Sequence, residues 1–285
     1  MSTPPGAHRT LGLGAGWRPQ LALAIERHSD LGFVEITAEN FSDPAGLPEA
    51  LLQLCERGTQ VVVHGIGLSL GGGEPIDRRR VQHLQALATR VKAPLVSEHI
   101  AFVRAGGKEA GHLLPIPRTR SALAILIDNI KAAQDCLQVP LALENISAFF
   151  EWPGREIGEA EFISEALEKT GALLLLDIAN IHANCVNLGG DALEFLDHLP
   201  LERLAYVHIA GGCERDGAYH DTHAHEVSDA TLELLSELAA RAEISGVMLE
   251  RDDDFPKEPQ FHDELAKISS AWQAGKVKRG AHAGI

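Results

Sequence analysis

Short runs rich in valine, leucine and isoleucine alternate with longer stretches of helical period along almost the whole chain. Eight such runs stand out, at residues 11–15, 33–37, 60–65, 94–99, 141–145, 173–178, 205–210 and 247–251. Most are continuously apolar rather than alternating, the pattern of parallel strands covered on both faces. Between them, at 44–57, 76–90, 119–137, 159–169 and 228–242, apolar positions recur every three or four residues as on one face of a helix. Ser228-Asp229 supplies an N-terminal cap signal for the last of these. Eight strands separated by helices predict an α/β fold, a single (β/α)8 TIM barrel over 1–285, rather than an open doubly wound sheet. Residues 1–10 and 276–285 are expected to be flexible, and no fixed-period repeat divides the chain.

Composition narrows the class. The chain has 285 residues, 45% hydrophobic and 23% charged, enough to bury a large core. A net charge of -15 repels phosphate backbones, so no nucleic acid partner is expected. The N-terminal stretch lacks a signal-peptide pattern, and no apolar run approaches the ~20 residues that span a bilayer, so no membrane association is expected. Cys55, Cys136, Cys185 and Cys213 are scattered without CxxC spacing, which fits a reduced, cytoplasmic protein better than a zinc ribbon or a disulfide framework. Gly12, Gly14 and Gly16 lack the strand–turn–helix context of a dinucleotide site and read as barrel-edge glycines. Gly71-Gly72-Gly73 lacks the Lys-Ser/Thr of a phosphate loop.

The candidate chemistry sits where the apolar runs end. Their last residues are Glu35 with Glu39-Asn40 beyond, His64, Glu98-His99, Glu144-Asn145, Asp177 with Asn180 and His182 beyond, His208, and Glu250. The His-rich stretch 206–225 adds Asp221 and His223, two apart and so on one face of an extended segment. In a βα barrel all C-terminal strand ends open on one mouth, so these residues should converge. Buried charge on that scale is costly unless paired or bound to metal. One catalytic zinc takes three protein ligands, whereas His64, His99, Glu144, Asp177, His208, Asp221, His223 and Glu250 number eight. The surplus suits two or three metal ions with open positions, and imidazole with carboxylate fits iron, manganese or zinc without choosing among them. Glu39 and Glu98 are expected to orient ligand imidazoles, Glu98 equally to pair with a basic group behind the barrel. His220 and His225 fall back to outer positions. No nucleophile elbow, zinc-protease helix or kinase signature is present, and nothing assigns a role to Cys185 or Cys213.

A series of short motifs sharpens this reading. They are Leu11-Gly12-Leu13-Gly14 with Trp17-Arg18, Glu35-Ile36-Thr37-Ala38-Glu39-Asn40, His64-Gly65-Ile66-Gly67-Leu68-Ser69, Ser97-Glu98-His99 and Leu113-Leu114-Pro115-Ile116-Pro117. Leu143-Glu144-Asn145, Leu176-Asp177-Ile178-Ala179-Asn180, His208-Ile209-Ala210-Gly211, Asp221-Thr222-His223 and Leu249-Glu250-Arg251 follow. In this order, over roughly residues 10 to 255, the chain resembles the multinuclear non-haem iron-dependent oxidative enzymes, long an uncharacterised barrel family. The resemblance implies two or three irons ligated by His64, His99, Glu144, Asp177, Asn180, His208, Asp221, His223 and Glu250, with dioxygen as co-substrate. It implies catalytic roles for His64, His99, Glu144, Asp221 and His223. The implied substrate is a cysteine of a ribosomally made precursor peptide, converted by oxazolone–thioamide formation, heterocycle formation or carbon excision. A separate partner protein that binds the leader peptide is also implied.

Two departures stand out. Ile181-His182-Ala183 carries histidine where many relatives carry an aromatic residue, which makes His182 a candidate extra ligand. Glu250 is followed by Arg251-Asp252-Asp253-Asp254 rather than Trp-Asp, which implies a different substrate pocket. The alternative reading is a zinc- or manganese-dependent barrel hydrolase or isomerase resembling AP endonucleases or sugar isomerases, which place the same ligand types at the same mouth.

Overall fold

The apolar runs become barrel strands because their alternate residues find two separate apolar places. The computed structural model describes residues 10–282. In chain order the elements are β1 (Gly12–Gly16), α1 (Ala22–Arg27), β2 (Phe33–Thr37), α2 (Glu49–Glu56), β3 (Gln60–Gly65), α3 (Arg78–Val91), β4 (Val96–His99), β5 (Phe102–Ala105) and β6 (Lys108–Leu114). Then come α4 (Arg120–Gln134), β7 (Leu141–Glu144), α5 (Glu159–Thr170), β8 (Leu173–Asp177), α6 (Ile178–Leu188), α7 (Ala192–Asp197), β9 (Leu204–Ile209) and the pair β10 (Gly211–Arg215) and β11 (Ala218–His225). The chain closes with α8 (Asp229–Arg241), β12 (Gly246–Leu249) and α9 (Glu258–His282). Eight parallel strands form a closed barrel in the order β1-β12-β9-β8-β7-β4-β3-β2, the (β/α)8 TIM-barrel fold expected from the pattern.

Strand parity then positions the site. Outward residues such as Val34 and Ile36 on β2, or Val207 and Ile209 on β9, join the large apolar layer between strands and helices. Inward residues form a second, smaller cluster that fills the barrel: Leu11, Phe33, Val62, Leu95, Ala142, Leu175, Tyr206 and Met248 among them. Side chains alternate along a strand, so the residue two places further on points inward too, one layer nearer the C-terminal mouth. Those residues are Glu35, His64, Ser97, Glu144, Asp177, His208 and Glu250, all buried. An apolar floor therefore lies beneath a polar ceiling, one residue from each of seven strands.

The eighth strand, β1, gives glycines instead. A Cβ on Gly14 would lie 2.2 Å from the Phe33 ring, its register partner on β2, so this glycine makes room inside the barrel and is not an edge residue.

Several elements were not legible in advance. β5 and β6, and β10 and β11, are antiparallel two-stranded ribbons raised on the loops after β4 and β9. Helix α2 starts at Glu49, after Pro48, rather than at residue 44. The expected softness of the C-terminal end is corrected: residues 276–282 continue α9. Its last turns are held by the Lys276 ammonium over the Trp272 ring at 3.6 Å, an Arg279 bond to the Ala242 carbonyl, and close packing of Gly275 on α8. The expectation for the N-terminus falls almost wholly on residues 1–9, outside the described ones. Ser228 caps α8 as read, accepting from the Thr231 amide. Among the described residues no helix is long and apolar enough to cross a membrane, and the four cysteines are free.

Gly14→Ala is expected to force the Phe33 ring out of its place and to lower stability by about 1–3 kcal/mol, as over-packing of a filled core does. Chemical denaturation of the variant against wild type measures this; an unchanged midpoint would contradict the packing account.

Candidate metal centre

The polar ceiling brings its side chains into direct contact. His99 Nε2 lies 3.3 Å and His64 Nε2 3.5 Å from Glu144 Oε2, with the two imidazole rings edge to face at 4.6 Å. The other Glu144 oxygen, Oε1, is 3.2 Å from His208 Nδ1, which is also 3.3 Å from Glu250 Oε2. The remaining His208 nitrogen, Nε2, meets Glu35 Oε2 at 3.0 Å. Above them, His223 Nε2 meets Asp221 Oδ2 at 2.8 Å, and its Nδ1 lies 3.0 Å from Asp252 Oδ2 and 3.5 Å from Glu250 Oε2. Four triplets have ligand atoms within 4.8 Å of one another and could each hold a metal ion: His64–His99–Glu144, Glu144–Asp177–His208, Asp177–His223–Glu250 and Glu35–His208–Glu250. Glu144, Asp177, His208 and Glu250 each belong to two of them.

Local structure fixes these atoms. Asp177 ends β8 and caps α6, accepting from the Asn180 amide through Oδ1 at 2.8 Å, so its other oxygen is turned to the mouth. Asn145 brackets the Asp177 backbone by donating to its carbonyl and accepting from its amide, both at 2.9 Å. Asn180 in turn donates to the Asn145 carbonyl at 3.0 Å. Asp221 and His223 arrive on β11, which is folded back against β10. A Cβ on Gly211 would lie 2.2 Å from the His225 carbonyl oxygen, so only glycine permits that approach. His223 takes a left-handed backbone with φ of 51°, and the Asp252 amide holds its carbonyl at 2.9 Å.

The electrostatics are those of a desolvated, tightly paired cluster. Burial alone would push the His99 imidazolium down, but Glu144 and Glu98 raise it to about 9. Burial would push Glu144 up, yet His208 and His99 hold it at about 2. Burial likewise opposes the charged forms of His208 and His223, and neighbouring carboxylates raise both well above the ordinary range. Glu250 is drawn well below it by His223 and His208 against the cost of its burial. Asp177 is the exception: burial and then the charges of Asp221 and Glu144 push it far up. Without a cation, protons and imidazolium charges balance the acids; a bound cation would invert that logic.

The donor set fits a metal ion on a second observation. Glu144 Oε2, Asp177 Oδ2, Asn180 Oδ1, Asp221 Oδ1 and His99 Nδ1 are buried without a hydrogen-bond partner. Four of the five are oxygens, whose lone pairs ask for a proton donor or a cation, and leaving each desolvated and unmatched costs about 1–3 kcal/mol. Glu144, Asn180, Asp221 and His99 line a cavity of about 770 Å3 that opens between Arg18, His112, Phe149, Phe150 and Thr222.

His64, His99, Glu144, Asp177, Asn180, His208, Asp221, His223 and Glu250 thus come together as the sequence pattern predicts. His182 does not. It lies on α6 with its ring edge-on to Tyr219 at 4.9 Å, half-buried and pushed down by that burial, and outside every convergent triplet. Nor does Glu39 orient an imidazole: it accepts from the Ile66 amide at 3.1 Å, and burial, then Glu98, raise its carboxyl. Glu98 accepts from the Leu68 and His99 amides at 2.8 Å, with Oε1 3.5 Å from His99 Nδ1. His220 packs on Phe149 and His225 bonds Thr222, as outer residues.

Reading only the final polar residue of each run left out Ser97, Tyr206, Asp252 and the full role of Glu35. The Tyr206 hydroxyl donates to Glu35 Oε2 at 2.5 Å and lies 2.7 Å from Ser97 Oγ, which lies 2.8 Å from His64 Nδ1. Asp252 pairs with His223 and with Arg18, whose Nε is 2.9 Å from Asp252 Oδ1 and whose NH2 is 3.4 Å from Glu250 Oε1. The period of two along β4 and β9 finds Ser97 and Tyr206, along β2 it aligns Glu35 with them, and the same spacing from Glu250 finds Asp252.

Solved structures with this architecture include the D-psicose 3-epimerase of Clostridium cellulolyticum (13% identity, TM-score 0.58, covering 94% of this chain and 98% of that one). A 3-keto-D-glucoside 4-epimerase from E. coli (13%, TM-score 0.60, 91% and 99%) and the endonuclease IV of Thermus thermophilus (19%, TM-score 0.58, 93% and 98%) match similarly. At those identities the likeness is one of fold alone. Sequence relatives are nearer. A UPF0276 protein of Streptomyces avermitilis is 51% identical over 266 residues, which are 91% of this chain but 54% of that protein, so the chain spans about half its length. A UPF0276 protein of Caulobacter vibrioides is 33% identical over 93% of this chain and 95% of its own. The family model of the RiPP precursor modification enzymes MbnB/TglH/ChrH matches residues 12–273. RiPPs are ribosomally made, modified peptides, and this chain belongs to the MbnB/TglH/ChrH family of enzymes that modify their precursors.

Proposed function

We propose that this chain is a multinuclear iron enzyme that uses dioxygen to oxidise a cysteine of a ribosomally made precursor peptide. The observation that carries the reading is the set of buried, unmatched oxygens of Glu144, Asp177, Asn180 and Asp221 at the mouth of a peptide-modifying family's barrel. His64, His99 and Glu144 would hold one iron; Glu144, Asp177 and His208 a second; and Asp177, Asp221, His223 and Glu250 a third, with Asn180 beside it. Bound there, iron would supply the redox chemistry with dioxygen and an open position for the cysteine sulfur. The chain's own residues do the rest. Glu144 ties His64 and His99 to His208, and Asp252 holds the outer His223 nitrogen. The exposed Phe149, Phe150 and Trp152 at the rim offer apolar surface to the peptide chain on either side of the reacting residue. A separate protein that holds the leader peptide is part of this reading. Localisation in the cytoplasm fits a chain with four free cysteines.

Aerobic incubation of the iron-loaded protein with candidate cysteine-containing precursor peptides, followed by mass spectrometry, tests the reaction. A mass change confined to the cysteine is expected. Metal analysis should find two to three irons per chain, and a fully active protein carrying only zinc would overturn the assignment. Asp221→Ala and His223→Ala are each expected to lower bound metal and abolish product, with the circular-dichroism spectrum unchanged. Full activity in either would remove β11 from the site.

The pH dependence follows from His99, whose pKa is raised from 6.5 to about 9 without metal. Metal must displace that proton, so uptake should release protons and tighten as pH rises from about 6.5 towards 9, then level off. In the metal-free protein the same shift contributes stability that is complete below about 6.5 and lost as pH rises through about 9. Chelator-competition titrations and thermal melts across that range measure both, and pH-independent metal affinity would contradict the argument.

A further inference from the structure

We propose that Tyr206 and Ser97 form a one-way hydrogen-bond relay from the Glu35 carboxylate that fixes His64 as its Nδ1–H tautomer and so leaves His64 Nε2 free to bind metal. The inference rests on the metal reading above and concerns Tyr206 and Ser97, which belong to none of the triplets. Its argument is a count of hydrogens. The Tyr206 hydroxyl has one, and it is donated to Glu35 Oε2 at 2.5 Å. The 2.7 Å contact between Tyr206 and Ser97 must then be made with the Ser97 hydrogen, so Tyr206 accepts. With its own hydrogen spent, Ser97 Oγ can only accept across the 2.8 Å contact to His64 Nδ1, which must carry the proton. A neutral imidazole protonated at Nδ1 offers its lone pair at Nε2, the nitrogen 3.5 Å from Glu144 Oε2.

Glu35 acts on the other side as well. The same Oε2 faces His208 Nε2 at 3.0 Å, so a hydrogen there leaves His208 Nδ1 for the site, where Glu144 and Glu250 lie at 3.2 and 3.3 Å. One carboxylate thus sets opposite tautomers on two histidines, directly for His208 and through two hydroxyls for His64. The surroundings explain why the hydroxyls are there. Tyr206 is fully buried on a floor otherwise made of residues such as Phe33, Val62, Leu175 and Met248, where an apolar side chain would pack without any need for a partner, and Ser97 is fully buried in the layer above it. Tyr206 also holds its ring edge-on to Phe33 at 5.9 Å, a contact that phenylalanine in its place would keep. Tyr206 and Ser97 are positioning residues that act through His64.

Zinc serves as the probe, being diamagnetic and taken by the same donors. Long-range proton–nitrogen correlation spectra of nitrogen-15-labelled protein should show His64 as Nδ1–H and His208 as Nε2–H in the zinc-loaded wild type. Tyr206→Phe and Ser97→Ala are each expected to lose the single His64 tautomer and to weaken zinc binding by about tenfold or more in chelator competition, the usual range for an outer partner of a metal-bound histidine. Ser97→Thr keeps the hydroxyl and should behave as wild type in both measurements. His64 found as Nε2–H, or Ser97→Ala and Tyr206→Phe binding zinc as tightly as wild type, would overturn the relay. If Tyr206→Phe fails to fold, the Ser97 pair decides alone. A wild type that takes up no zinc, iron or manganese would overturn the metal reading instead, and the tautomer of His64 in that metal-free protein would still judge the relay.

Discussion

Five carboxylates and four imidazoles share one desolvated end of the barrel, and most polar detail nearby follows from keeping them matched. Glu35, Glu144, Asp221 and Glu250 face His64, His99, His208 and His223 at hydrogen-bond or near-contact distances, and Asp177 lies within 4.8 Å of His208 and His223. A buried charge stripped of its partner costs several kcal/mol, so no member can be removed in isolation. His208 shows the constraint at its tightest: fully buried, it touches Glu35, Glu144 and Glu250 within 3.0–3.3 Å. The barrel makes this tolerable because Glu35, His64, Glu144, Asp177, His208 and Glu250 each follow a different barrel strand's floor residue by two places, one layer above the cluster that fills the barrel.

The second layer of the site has different physics. Asp221, His223 and Asp252 come from segments beyond the barrel strands, and their placement depends on backbone geometry rather than on packing. The left-handed His223 is held by the Asp252 amide, and Asp252 in turn is pinned by Arg18 from the loop after β1. Arg251, next to Glu250, turns away from the mouth and is buried against Glu264 of α9 at 2.7 Å. The Arg-Asp pair after Glu250 therefore divides its work: Arg251 anchors the terminal helix, and Asp252 completes the site. That division also explains why the last helix is ordered through residue 282, for α9 is tied to the barrel beside the metal centre and to α8 at its far end.

Most of the fold and the greater part of the site were legible because strand and site use one period. A continuous apolar run that ends in a single acid or base, as at Val61-Val62-Val63-His64 or Leu174-Leu175-Leu176-Asp177, announces both a doubly covered strand and a residue at its mouth. What stayed hidden were residues that break this form. Tyr206 looks like an ordinary apolar strand residue, and Ser97 is too small and neutral to draw notice beside Glu98 and His99. The ribbon from Gly211 to His225 was hidden for the opposite reason: it is polar and glycine-rich, with no apolar alternation, because it is built to lie close over a cavity rather than on a core. His182 shows the converse error. A histidine near the other ligands in sequence is not near them in space once a helix has begun, and α6 starts at Ile178 and carries it away.

Charge balance adds a last argument, and it bears on how many ions the proposed centre holds. For metal binding the four imidazoles must be neutral at their ligating nitrogens, so they cannot cancel the carboxylates as they do in the metal-free protein. Arg18 and Asp252 offset one another, and Tyr206 keeps its proton. Glu35, Glu144, Asp177, Asp221 and Glu250, once all are ionised as ligands, then carry about five negative charges, with Glu35, Glu144, Asp177 and Glu250 buried. One divalent ion would neutralise fewer than half of them, and the remainder would have to stay protonated, as the raised Asp177 does without metal, or be paired. Two or three divalent ions bring about four to six positive charges and restore neutrality without a single imidazolium. On the proposed reading, charge balance favours more than one metal, and the sharing of Glu144, Asp177 and Glu250 between triplets is how so small a space could hold them.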